Sequence, residues 1–449
     1  MPQEESVGTD SRFLASLKTY VPAALAHLDS RHPPVDPAAL EEKPECIMWT
    51  APSGQQCSRD RRRLVLEDEL HNLAEYDALL AAIESDPAVA AVVGNWLAAG
   101  GMATYIDQNE VADDPVRQMA VRLGSFACDQ NELDATCKAQ ERRLRSSTVD
   151  QTLVAILFGF DAERAPLQLR GGVEVDALNE DELRFCEFEG FNGRWTAPRF
   201  GVRFRRALTR AIGDENIVHA TGAEGLAFQT EGHSAIQRVI EALRVFQAGD
   251  FASPGVFRYS WFHEFPVFSI AFDQRSRFLD GYHLGTAQGN SFADFFREYM
   301  SLPSRNPIEL ALRRFVLAGE TSRPDDRLVD LVTAAESLFL EGAHGELKYR
   351  LAMRFAQFCE DADSTGPRLY LFMKDAYDAR SGLVHGVATA DTLRVRSPKG
   401  DVMDFDSFVP LLESLLRSCF AKAIGLVSAG TWPPQWETAL LEPWDKNRY

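Results

Sequence analysis

The sequence predicts a mainly α protein with a smaller α+β middle region and a C-terminal four-helix bundle. Three observations predict it. Apolar residues recur at helical spacing in the first third and, most regularly, beyond Ser322. After about Gly171 the period switches to two, the alternation of half-buried strands. The 449 residues, 45% apolar and 25% charged, suit an ordinary folded protein of two or three domains. The resulting segments are a helical N-terminal region over 1–160, an α+β middle over 161–303 and a helical bundle over 304–449.

From Ser11 to about Leu157 helical stretches alternate with irregular ones, and Leu64 to Ile83 is the clearest amphipathic run. Arg31-His32-Pro33-Pro34 and Ala51-Pro52-Ser53-Gly54 interrupt it as loops. The most apolar run, Pro87 to Gly100, is broken by Asn95 and falls short of the roughly 18 residues of a membrane helix. It reads as a core helix. The opening Met1-Pro2-Gln3-Glu4-Glu5 lacks the basic and apolar regions of a secretory signal, so a cytoplasmic protein without membrane association is expected.

Seven cysteines, at 46, 57, 128, 137, 186, 359 and 419, are an odd number without a C-x-x-C pair, which fits reduced, buried thiols. The pairs Cys46 with Cys57 and Cys128 with Cys137 are too widely spaced for the usual zinc ligands. No metal and no cofactor are expected. A net charge of −19 argues against a protein that coats nucleic acid non-specifically, but not against a small basic cleft. Clusters at Arg59 to Arg63, Arg142 to Arg145 and Arg199 to Arg210 read first as solvated faces.

In the middle region Leu183-Arg-Phe-Cys-Glu-Phe-Glu and Phe200-Gly-Val-Arg-Phe-Arg alternate as strands do. Phe251 to Leu284 is crowded with aromatics, among them Phe257, Tyr259, Trp261, Phe262, Phe265, Phe268 and Phe272. Such rings can stack bases, but an aromatic core between short strands is the simpler reading.

The last third is the most informative. Ser322-Arg-Pro-Asp is a helix start, with a capping serine, proline in the first turn and acids near the positive dipole end. The helix it opens carries Leu328, Leu331, Val332, Ala335, Leu338 and Phe339 on one stripe. A second follows with Leu347, Leu351, Phe355 and Phe358, and a third runs from about Pro367 to His385. After a loop through Ser397-Pro-Lys-Gly, a fourth carries Phe408, Leu411, Leu412, Leu415 and Cys419. Four such helices with short connections make a bundle, on which Pro307 to Ala318 docks.

The third helix holds an anomaly. At about 100° per residue, Leu369, Phe372, Met373, Ala376, Leu383 and Val384 share a face, and Arg380 falls within it. A guanidinium on an apolar stripe is costly unless it is paired or lines a cleft or interface. His385 lies about 140° further round, on the polar side with Lys374 and Asp378. Gly386 behind it suits a C-cap, and a histidine in the last turn also fits the helix dipole alone. The residues by themselves leave open a structural arginine beside a helix-end histidine, or a working pair.

Asp326-Arg-Leu-Val-Asp-Leu-Val-Thr-Ala-Ala-Glu336-Ser-Leu-Phe, then Glu346-Leu-Lys-Tyr-Arg-Leu-Ala-Met-Arg-Phe-Ala, then Asp375-Ala-Tyr377-Asp378-Ala-Arg380-Ser381-Gly-Leu-Val-His385-Gly386 resembles the Apea-like branch of HEPN domains in order and spacing. The resemblance spans roughly Arg305 to Ala429. A lone R-x-x-x-x-H has no specificity; its context supplies it. The resemblance implies a helical-bundle domain, usually dimeric, with metal-independent endoribonuclease chemistry on RNA such as tRNA or mRNA. His385 would move the proton and Arg380 would hold the phosphate. Ser381 would donate a further hydrogen bond, Asp378 would orient His385, and Glu336 would fix Arg380.

A prokaryotic defence effector whose first 300 residues sense a trigger ligand fits this layout. The alternative is a non-catalytic nucleotide-binding or dimerising scaffold, since fold alone does not settle function. A conventional hydrolase finds no support: G-x-S-x-G, H-E-x-x-H and G-x-x-x-x-G-K-[ST] do not occur, and His233-Ser234 and His263-Glu264 stand apart from any partner motif.

Overall fold

In the computed structural model the chain is described over residues 11–31, 42–50, 56–64, 68–123, 126–179, 182–183, 198–253, 255–260, 263–271, 281–303, 306–321, 323–359 and 365–436, with the backbone alone at 31, 42–50, 56–64, 68–69, 121–122 and 263–271. In chain order the elements begin with α1 (Arg12–Arg31), the antiparallel pair β1 (Glu42–Thr50) and β2 (Gln56–Leu64), α2 (Ala74–Ser85) and α3 (Pro87–Ala90). The hairpin β3 (Trp96–Ala99) and β4 (Met102–Tyr105), α4 (Gln108–Leu123) and α5 (Gln130–Arg145) follow. Next come β5 (Thr148–Leu157), β6 (Phe160–Ala162), β7 (Leu167–Leu169), β8 (Val173–Ala177), β9 (Phe200–Gly213) and α6 (Gly222–Phe246). Strands β10 (Gly255–Ser260), β11 (His263–Ala271) and β12 (Tyr282–Leu284) precede α7 (Thr286–Ser301), α8 (Glu309–Glu320), α9 (Pro324–Phe339), α10 (Leu347–Phe358) and α11 (Gly366–Val384). A two-residue ribbon, β13 (Val395–Arg396) with β14 (Val402–Met403), leads into α12 (Phe405–Ser428). The protein is therefore mostly helical with a strand-containing middle. Among the described residues no helix is long and apolar enough to cross a membrane.

The chain divides into two compact units that interleave along it: residues 1–153, 205–232 and 257–269, and residues 154–204, 233–256 and 270–449. In the first, α1 buries Phe13, Leu17, Tyr20, Val21, Ala24 and Leu28 at helical spacing, against α2, α4 and α5. Burying each large apolar side chain stabilises the fold by roughly 1.5–3 kcal/mol.

The Pro87–Gly100 run is not one core helix. Asp86 caps a single turn at Pro87–Ala90 by accepting from the Ala88 and Val89 N–H groups, and Trp96–Ala99 is a strand. That strand pairs with Met102–Tyr105 across a Gly100-Gly101 turn, both glycines at positive φ (58° and 78°), and on its other side with residues 210–213. Pairing partners on both sides outweigh the local helical preference. Thr148–Leu157 is likewise a strand, buried from Gln151 onward, rather than the tail of a helical region. A strand buried on both faces reads as a continuous apolar run, which periodicity cannot tell from a buried helix.

The second unit contains the bundle. In α9, Leu328, Leu331, Val332, Ala335, Leu338 and Phe339 are buried, as the stripe requires. This helix touches α8, α10, α11 and α12, so it is the axis of the bundle. Phe372 meets Phe408 edge-on at 5.5 Å, and Phe339 meets Phe355 at 6.0 Å, edge-to-face contacts that favour one arrangement of helices. Leu347 departs from the expected stripe: it opens its helix and is 41% exposed. Arg396 donates to both oxygens of Asp375 at 3.0 and 3.1 Å, fastening the β13–β14 ribbon to α11.

Of the alternating stretches in the middle, Phe200 to Arg205 is strand as expected, while Leu183 to Glu189 lies almost wholly outside the described residues. Phe251 and Phe257 are core residues; Tyr259 is half-buried, and the side chains of Trp261, Phe262, Phe265, Phe268 and Phe272 lie outside the description.

Candidate functional site

Helix α11 begins with Pro367 in its first turn, where a missing N–H costs nothing, and buries Leu369, Phe372, Met373, Ala376 and Ala379. Arg380 sits at the border of that apolar face and is 27% exposed. The helix stops in a Schellman arrangement. Gly386 (φ 68°) donates to the Leu383 carbonyl at 3.1 Å, and Val387 donates to that of Gly382 at 2.9 Å. His385 is thereby the C-cap residue, with φ −89° and ψ 1°, and is exposed. The apolar contact that usually accompanies this motif needs a side chain at the position of Gly382. Val387 consequently stays 84% exposed, beside Val384 at 53%.

Glu336 on α9 faces Arg380, its carboxylate 3.7 Å from Nη2. Burial pushes the Glu336 carboxyl above the usual glutamate range, and the nearby guanidinium partly pulls it back. The separation makes this an ion pair beyond hydrogen-bond length. The buried Nε of Arg380 has no hydrogen-bond partner. Ser381 accepts the His385 N–H on its backbone carbonyl at 3.1 Å. No hydrogen bond links Arg380 to His385 among the described residues.

Asp378 does not make the expected contact with His385. Its carboxylate takes the Lys348 ammonium of α10 at 2.5 Å, and about 10 Å of helix rise separates it from His385. The sequence reading also passed over an open cleft of about 630 Å³ between the start of α10 and the outer face of α11, lined by Tyr349, Tyr370, Lys374 and Tyr377 among others. The residues that form it are spread from 346 to 377, and only the helical phase shared by Tyr370, Lys374 and Tyr377 on α11 could have flagged them.

Elsewhere the polar residues singled out by sequence are engaged in structure. Arg203 is 1% exposed, donating to Glu182 and, at 2.9 Å, to Asp176, so it is no solvated face. Arg206 pairs with Glu231, and Arg210 donates to the Leu144 carbonyl at 2.7 Å. Arg145 pairs with Glu141 and Asp86. Tyr20 donates to Asp113 at 3.2 Å and His71 Nε2 lies 3.3 Å from the same carboxylate, a buried network that ties α1 to α4. Among the described residues no cluster of histidine, cysteine and carboxylates could hold a metal. Cys137 is buried and Cys128 exposed; the side chains of Cys46, Cys57, His263 and Glu264 lie outside the description.

The chain matches no protein-family model, no curated protein and no solved structure.

Proposed function

We propose that this protein is a HEPN-type, metal-independent endoribonuclease whose working residues are Arg380 and His385. The observation that supports the reading best is the state of Arg380. Its charge is balanced by Glu336 at 3.7 Å, beyond hydrogen-bond length, and the side chain remains 27% exposed. A guanidinium held in place with donors to spare suits a phosphate, whose oxygens match its planar fork.

In this reading the ribose 2′-oxygen attacks the adjacent phosphorus and the bond to the 5′-oxygen breaks. His385 takes the 2′ proton as base, or in its protonated form gives a proton to the departing 5′-oxygen. The products are a 2′,3′-cyclic phosphate and a 5′-hydroxyl. Arg380 offsets the charge that builds on the phosphorane oxygens, and Ser381 supplies a further donor. An imidazole suits both roles because it can take a proton on one ring nitrogen and give one up near neutral pH. Since no hydrogen bond joins Arg380 and His385 within one chain, a homodimer through the bundle would complete the cleft, with the first 300 residues acting as the sensor of a regulated defence effector.

A second reading, a dimerising or nucleotide-binding scaffold, draws on the exposed Val384 and Val387 that flank His385. Incubation of purified protein with total RNA and tRNA in chelator separates the two. Wild type should yield fragments with cyclic phosphate ends and His385→Ala none; fragments of the same kind and amount from both proteins would remove His385 from the chemistry.

A further inference from the structure

We propose that the cleft beside Tyr349 is a base-stacking subsite for single-stranded RNA, placing the strand along α11 so that a neighbouring phosphate reaches Arg380 and His385. This rests on the nuclease reading for its purpose, but on independent residues for its geometry.

Three tyrosines line one open cavity of about 630 Å³. Tyr349 is 52% exposed, and Tyr370 and Tyr377 are half-buried. The rings of Tyr349 and Tyr370 stand 6.0 Å apart at 70°, edge to face, so they do not stack on one another. Uncovered aromatic faces beside a backbone-reading cation are the recurring means of holding unpaired bases.

The phase of α11 connects this cleft to the candidate catalytic pair. At about 100° per residue, Tyr370, Lys374, Tyr377, Ser381 and His385 fall within an arc of about 80° on the face opposite the core. Tyr377 precedes His385 by about 12 Å of helix rise, a reach of a few nucleotides. A strand whose base rests on Tyr377 and Tyr349 therefore runs along a continuous polar stripe toward Ser381 and His385.

The charges indicate stacking rather than bulk attraction. Lys348 is balanced by Asp378 at 2.5 Å, and Glu346 adds a carboxylate to the rim. Lys374 has no hydrogen-bond or ion-pair partner among the described residues and lines the same cleft. With Arg380 this makes about two phosphate contacts, so binding should depend only modestly on salt. Glu346 holds a left-handed backbone conformation (φ 47°), which a non-glycine residue rarely adopts and which sets the direction in which Leu347, Lys348 and Tyr349 leave the loop.

The test is fluorescence anisotropy of a labelled eight-nucleotide 2′-O-methyl oligouridylate, which cannot be cleaved by 2′-oxygen attack, with the full-length protein. Tyr349→Ala and Tyr377→Ala should each weaken binding roughly 5- to 100-fold, the usual range for a lost base stack. Tyr349→Phe should restore it. Lys374→Ala should lower the salt dependence by about one ion. A wild type that does not bind the probe overturns the subsite, as do tyrosine variants that bind within twofold of wild type while their melting curves stay unchanged. Wild-type cleavage of RNA combined with unaltered KM in the tyrosine variants removes the subsite and leaves the nuclease standing. Tyrosine-dependent binding with cleavage that persists undiminished in His385→Ala removes the proposed catalytic pair and leaves the subsite.

Discussion

Glu336 and Arg380 face each other at 3.7 Å from two helices of the bundle, the carboxylate 22% and the guanidinium 27% exposed. The pair holds the arginine at the edge of the apolar face without satisfying all its donors. It ties α9 to the C-terminal part of α11.

Arg380→Lys keeps the charge but loses the planar fork. If Arg380 grips a phosphate, the lysine variant should cleave RNA roughly 100-fold more slowly than wild type, near the alanine variant, with little change in melting temperature. Full activity in the lysine variant would mean that only the charge matters.

The Glu336 carboxyl is held above its ordinary range in the fold, chiefly by burial. A group raised on folding binds its proton more readily in the native state, so its contribution is present below the unfolded pKa and lost as pH rises through the folded one. Glu336→Gln does not titrate. Urea melts from pH 4 to pH 7 should show stability shifting in favour of the glutamine variant as pH rises, then levelling. A shift in the other direction would show that Arg380 outweighs burial.

Gly386 (φ 68°) terminates the helix that carries His385. A side chain there meets the left-handed penalty, so Gly386→Ala should destabilise by about 1–2 kcal/mol, read in urea melts. If His385 works in RNA cleavage as proposed, the same fraying should loosen it and reduce cleavage more than the stability loss explains. A melt unchanged from wild type would contradict the cap geometry.

Burial pushes the Cys137 thiol up to about 12, whereas Cys128 is exposed, its thiol raised only in part by burial and by Asp129. The thiolate is the reactive form. A short iodoacetamide pulse at pH 8 followed by peptide mapping should label Cys128 well before Cys137. Equal labelling of the two would place Cys137 at the surface.

How far the sequence can be read depends on which forces decide each element. The α9 stripe was legible because six apolar residues at helical spacing have one economical placement, the inside of a bundle. Leu347 was misread because helical phase does not say where a bundle's cover ends. Trp96–Ala99 and Thr148–Leu157 carry no period-two signal, since both faces of each strand are covered; only their pairing partners make them strands. At the site, Arg380 announced itself as a charge on an apolar face. The choice of Lys348 by Asp378 did not, because an ion pair between helices depends on distances that a linear pattern lacks.

The sequence by itself determined the helical character of the last third, the oddity of Arg380 within it and the glycine stop that follows His385. These are local properties, set by side-chain periodicity and by backbone preferences over a few residues. The tertiary structure alone decided that Glu336 meets Arg380, that Arg203 is buried among carboxylates, and that Tyr349 shares a cleft with Tyr370 and Tyr377. Each of those depends on helix and strand packing bringing distant residues within a few ångströms, and electrostatic and stacking energies fall away over that same distance.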